Sequence, residues 1–150
     1  MVQKIATKLL LSALDFGASD VYILPTEGTF SIGFRHSASR KHYAVFSESV
    51  GQSLISHFKF IAGMNVGEKR RAQLGSCTYV IAKKRLRIRL STVGDFQNNE
   101  SLVLRILPKE DQPLLFWIET DLLDVLSLID RRGLYLFSGP VGSGKTTLMN

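Results

Sequence analysis

Apolar positions near the start of the chain recur at spacings of three and four, at Ile5, Leu9, Ala13 and Phe16. That is the helical period, so residues 2–16 are expected to form an amphipathic helix, with Gly17 where a C-cap belongs. The period then shortens. Residues 21–24 read as a brief strand ending at Pro25. After Gly28, the residues Phe30, Ile32 and Phe34 alternate with Ser31, Gly33 and Arg35, the signature of a half-buried strand. A second helix is expected after Ser47 as N-cap, with Val50, Leu54, Phe58 and Ile61 as its stripe and Gly63 as its end. Residues 65–76 are polar and basic and read as a loop. Strands over 77–82 and 85–92 follow, joined by a turn at Lys83 and Lys84. The second sets Leu86, Ile88 and Leu90 on one face and Arg85, Arg87 and Arg89 on the other. Residues 94–100 form a loop, and 102–107 a last strand.

Beyond it the pattern breaks. Pro108 and Pro113 enclose Lys109, Glu110, Asp111 and Gln112, a linker composition. A helix is expected over 121–130, with Leu122, Val125, Leu126 and Ile129 inward and Gly133 as its stop. A short apolar strand over 134–137 leads into a glycine-rich stretch. The fold class is therefore α+β. Residues 1–107 are expected to form a mixed domain of strands and helices, residues 108–113 a linker, and residues 114–150 the start of an α/β domain. A doubly wound sheet needs several strands, so the remainder of that domain is expected beyond Asn150.

A chain of 150 residues with 45% hydrophobic and 21% charged residues has the composition of a folded protein with a buried core. Every apolar run is interrupted well short of the roughly 18 residues of a membrane span. Lys4 and Lys8 break any signal-peptide pattern. The one cysteine, Cys77, fits a reducing compartment and cannot form an internal disulfide. Net charge is +6, and the excess is concentrated. Between Lys69 and Gly94 stand eight basic residues and no acidic one, a block that attracts phosphates, acidic protein surfaces or anionic lipid. Only Tyr79 interleaves that block, which disfavours a stacking platform and hence direct nucleic-acid binding. His36, His42 and His57 lie apart from any cysteine or carboxylate pair at ligand spacing, so neither a metal nor a catalytic role is assigned to them.

The sharpest signal is Gly139, Pro140, Val141, Gly142, Ser143, Gly144, Lys145 and Thr146, which match G-x-x-x-x-G-K-[ST] at every fixed position. Glycines there let the backbone turn its N–H groups inward around an anion. The helix that follows directs its positive end at the same point. Lys145 is the reach to the β- and γ-phosphates, Thr146 offers its hydroxyl to Mg²⁺, and Thr147 completes the nucleotide-binding set. ATP with Mg²⁺ is the cofactor this pattern calls for. Hydrolysis further requires a Walker B carboxylate and a water-orienting group, both expected after Asn150, so these residues alone are expected to be inactive.

Four segments resemble, in order, the signatures of the type II secretion and type IV pilus ATPases. They are Gly17-Ala18-Ser19-Asp20-Val21-Tyr22-Ile23-Leu24-Pro25; Gly67-Glu68-Lys69-Arg70-Arg71-Ala72-Gln73-Leu74-Gly75-Ser76; Arg89-Leu90-Ser91-Thr92 with Glu100-Ser101-Leu102-Val103-Leu104-Arg105-Ile106-Leu107; and the run from Gly133 to Thr147. The stretch Leu54-Ile55-Ser56-His57-Phe58-Lys59-Phe60 is most similar to the competence ATPases of Gram-positive bacteria. Tyr22, Leu24 and Ala72 depart from the usual His, Glu and Pro, and Leu74-Gly75-Ser76 stands where the motif has D-G-R, so its arginine has no counterpart here. The resemblance implies a PAS-like N-terminal domain joined to a RecA-like ATPase domain, a homo-hexameric ring, and a cytoplasmic protein held to the inner face of the membrane by a polytopic partner. It further implies arginines approaching a γ-phosphate or a neighbouring subunit, and Arg89, Arg70 and Arg71 are the candidates by motif position. The implied function is ATP-driven pseudopilus assembly for DNA uptake. A type II secretion or pilus ATPase, or a docking and ring-forming module without activity of its own, is the alternative.

Overall fold

The computed structural model describes residues 1–81, 83–107, 123–125, 127, 132–140, 143, 145 and 146. The chain divides into two compact units, Met1–Pro108 and Lys109–Asn150.

The first unit opens with helix α1, Val2–Asp15, followed by strands β1, Asp20–Thr26, β2, Thr29–His36, and β3, Ser39–Ser47. Helix α2, Glu48–Ile61, precedes β4, Gln73–Ile81, β5, Lys84–Gly94, and β6, Glu100–Ile106. All six strands join one antiparallel sheet in the order β3-β2-β1-β6-β5-β4. The last strand of the unit thus inserts beside the first, so residues 85 apart become neighbours at the sheet centre: Asp20 pairs with Arg105.

The sheet has two chemically distinct faces because side chains alternate along a strand. One face carries Val21, Ile23, Phe30, Ile32, Phe34, Ile88, Leu90, Leu102 and Leu104, all buried in a single cluster with Ala6, Leu9, Leu10 and Ala13 of α1 and Leu54, Ile55 and Phe58 of α2. Helix α1 spans this face, since Thr7 meets the Tyr79 hydroxyl on β4 at 3.4 Å and Ser12 meets the Tyr43 hydroxyl on β3 at 3.2 Å. Gly17 and Gly63 close the two helices with φ of +71° and +66°, values that need glycine's freedom. The opposite face carries the polar partners of the same strands.

Several expectations change here. Residues 73–76 belong to β4 and not to a loop: pairing with β5 extends from Ile81 back to Gln73. Strand β3 had no alternation to announce it. It is an edge strand with mostly exposed side chains, ordered by its ladder to β2 and by Arg40 lying over the Tyr22 ring at 5.3 Å. Ser47 is the N-cap of α2, yet its side chain makes no capping bond and meets the Ser49 hydroxyl instead. The α2 stripe includes Lys59, fully buried, which no apolar pattern marks.

In the second unit, residues 123–125 and 127 are helical. Residues 134–137 form no strand, and Leu134 and Leu136 are 94% and 87% exposed. A strand exists by pairing, and no other strand stands among the described residues of that unit. The linker at 108–113 and the helix positions Leu122, Leu126 and Ile129 lie outside the described residues.

Candidate functional site

Two arrangements carry chemistry, one in each unit. In the second unit, the Lys145 ammonium folds over the loop that precedes it. Its Nζ donates to the carbonyls of Gly139 at 2.8 Å and Pro140 at 2.6 Å, and lies 3.3 Å from the Ser143 hydroxyl. The Ser143 amide donates to the Pro140 carbonyl at 3.3 Å, closing the turn. A Cβ on Gly139 would come within 2.8 Å of Ser143 Oγ, an exposed hydroxyl that can turn aside. Lys145 and Thr146 have helical geometry, and Thr146 is exposed. The donor set suits a nucleotide with magnesium: a cation rests on the loop rim, with an exposed hydroxyl on the adjacent helical residue. Val141, Gly142, Gly144 and Thr147 fall outside the described residues.

In the first unit, the polar face of the sheet presents one row across five strands. Arg35 on β2 is in register with Asp20 on β1, Asp20 with Arg105 on β6, Arg105 with Arg89 on β5, and Arg89 with Ser76 on β4. Asp20 is 1% exposed and both of its oxygens are engaged. Oδ2 accepts from Arg35 Nε and Nη2 at 2.9 and 2.7 Å and from Ser19 Oγ at 2.8 Å; Oδ1 accepts from Arg105 Nε at 2.8 Å. Burial pushes the Asp20 carboxyl up, but the hydrogen bonds from Arg105, Ser19 and Arg35 outweigh it and hold the group below the usual carboxylate range. The same carboxylate raises the affinity of Arg35 for its proton.

Beside this row opens a cavity of about 590 Å³, lined by Asp20, Leu74, Gly75, Ser76, Arg89, Leu90, Ser91, Val103 and Arg105. Arg89 and Arg105 are both exposed there. One carboxylate against the guanidinium groups of Arg35, Arg105 and Arg89 leaves the row with excess positive charge, which favours an anion.

The three arginines singled out by motif do not converge. Arg70 and Arg71 lie in the loop before β4, where Glu68 Oε1 accepts from their amides at 2.7 and 3.2 Å. The Arg70 side chain bonds Asn98 in the β5–β6 loop at 2.9 Å, at the end of the sheet. Neither residue lines the cavity. Arg105 does, and motif reading passed over it, although its place in the resemblance beside Arg89 was visible. Of the other basic residues on β5, Arg85 is exposed and Arg87 half-buried. Thr92, which follows Arg89 in its motif, points the other way into the core.

The family model for Type II/IV secretion system protein matches residues 1–150. The chain belongs to that family. It is 48% identical to Competence protein ComGA of Streptococcus pneumoniae, over all of this chain and 48% of the relative. It is 36% identical to Competence protein ComGA of Bacillus subtilis, over 99% of this chain and 42% of that one. Identity to Type II secretion system ATPase E of Vibrio cholerae is 31%, over 97% and 30%. The chain thus spans half or less of the length of these curated relatives. Among the described residues, no helix is long and apolar enough to cross a membrane.

Proposed function

We propose that these residues are the N-terminal part of a hexameric motor ATPase that powers pseudopilus assembly for competence DNA uptake. Support comes first from the phosphate loop, where Lys145 stands at a helix start against the carbonyls of Gly139 and Pro140. The loop amides and Lys145 hold the phosphates, and Thr146 holds Mg²⁺. Bound ATP supplies the phosphoryl group whose transfer drives the motor. Arg89, joined by Arg105, presents positive charge to a γ-phosphate in its own or a neighbouring subunit, and Arg70 and Arg71 serve the subunit contact. The first unit is read as PAS-like and the second as RecA-like, on a cytoplasmic protein held at the membrane by a polytopic partner.

Higher identity to the competence relatives, 48% and 36%, than to the secretion ATPase, 31%, favours the competence reading over a type II secretion or pilus role. The decisive experiment replaces Lys145 by Ala in the full-length protein in its own cell. Loss of DNA uptake with secretion intact supports the reading. Loss of secretion with uptake intact favours the alternative, and loss of neither leaves a docking module.

A further inference from the structure

Asp20 is the one buried carboxylate on the otherwise basic central row of the polar face. A buried carboxylate is costly unless every lone pair is used, and here each oxygen takes a different arginine. Arg35, 26% exposed, and Ser19 hold Oδ2 from the β2 side and fix the carboxylate's orientation. The opposite oxygen, Oδ1, takes Arg105 through Nε alone. An Nε bond uses the inner side of a guanidinium. Arg105 is 59% exposed and lines the same cavity as Arg89, and its bond to Asp20 leaves the terminal nitrogens unengaged by that carboxylate. Two guanidinium groups in cross-strand register would repel and splay if unrestrained. The Asp20 charge offsets that repulsion at the arginine nearer to it.

We propose that Asp20 is a positioning residue: anchored by Arg35, it aims Arg105 beside Arg89 so that both can grip one phosphate group. This rests on the arginine role proposed above. Asp20 itself touches no phosphate, since both its oxygens are already taken by Arg35, Ser19 and Arg105 and like charges repel. Its effect passes entirely through Arg105. An interaction that sharpens only at the transition state lowers kcat and leaves KM in place.

The test measures steady-state ATP hydrolysis by the full-length protein for wild type, Asp20→Asn, Arg105→Ala and the double variant, with thermal melting of each. Arg105→Ala is expected to lower kcat. Asp20→Asn is expected to lower it on the order of ten- to a hundred-fold, as a misplaced contact does, with KM within about twofold. In the Arg105→Ala background the Asp20 change should add less than about twofold, because groups acting as one unit are not additive. An undiminished loss from Asp20→Asn in that background, or wild-type kcat for Asp20→Asn, overturns the proposal. Wild-type kcat for Arg105→Ala overturns the arginine role as well, which separates the two failures. If Asp20→Asn does not fold, Asp20→Glu keeps the charge and shifts the carboxylate by one methylene. A fall in its kcat without a fall in melting temperature supports positioning, and an unchanged kcat refutes it.

Discussion

Lys59 and Glu100 form an ion pair inside the protein, Nζ to Oε1 at 2.6 Å, with the lysine fully buried and the glutamate 6% exposed. The same ammonium donates to the Glu68 carbonyl at 2.7 Å, and Gln73 Nε2 reaches that carbonyl from the other side at 3.0 Å. The pair therefore ties α2, the head of β6 and the basic loop before β4 to a single buried point. Replacing Glu100 by Gln leaves the ammonium buried without its counter-charge. Denaturant unfolding of the first unit should show a loss of about 3 kcal/mol, while the double change Lys59→Met with Glu100→Leu should cost far less.

Thr92 lies wholly inside the core, and its hydroxyl is buried without a hydrogen-bond partner among the described residues. Replacing it by Val keeps the shape and removes the orphaned group. Stability should rise by about 1 kcal/mol in the same unfolding measurement. A large loss of stability would mean that the hydroxyl has a partner after all.

Gly51 sits on the buried side of α2, where an added Cβ would overlap the Phe30 ring. Phe30 is 1% exposed and part of the core cluster, so moving its ring disturbs packed neighbours. Despite the better helix propensity of alanine, Gly51→Ala should destabilise by about 1–3 kcal/mol, as overpacking does. Thermal melting checks this directly.

Asp20 gives the fold a pH dependence whose sign is fixed. Its pKa is held below the unfolded value, so its stabilisation is fully present above about pH 4 and is lost as pH falls through the lower folded value. The melting-temperature gap between wild type and Asp20→Asn should be constant near neutrality. It should narrow only below about pH 4. A gap that already changes between pH 6 and 8 would place the titrating group elsewhere.

Much of the first unit was legible because its core follows simple periods. The α1 and α2 stripes, and the alternation of Phe30, Ile32 and Phe34, report burial on one face, and burial is what periodicity records. Strand β3 was not legible, because an edge strand is fixed by its ladder and not by an apolar face. Nor was Lys59, whose burial depends on Glu100 and the Glu68 carbonyl, both distant in sequence. The candidate site divides in the same way. The phosphate loop is local and could be read from consecutive residues. The Arg35, Asp20, Arg105 and Arg89 row depends on β6 inserting beside β1, which no local pattern states. Motif position therefore grouped Arg89 with Arg70 and Arg71, whereas register pairs it with Arg105.

The most direct test of the nucleotide-binding reading is calorimetric titration of the full-length protein with ATP and Mg²⁺, beside the same protein carrying Lys145→Ala. The expected result is saturable binding by wild type, weakened by at least about a hundredfold in the variant, as loss of a charge-assisted phosphate contact worth about 3 kcal/mol implies. Equal binding by both, or none by wild type, would contradict it.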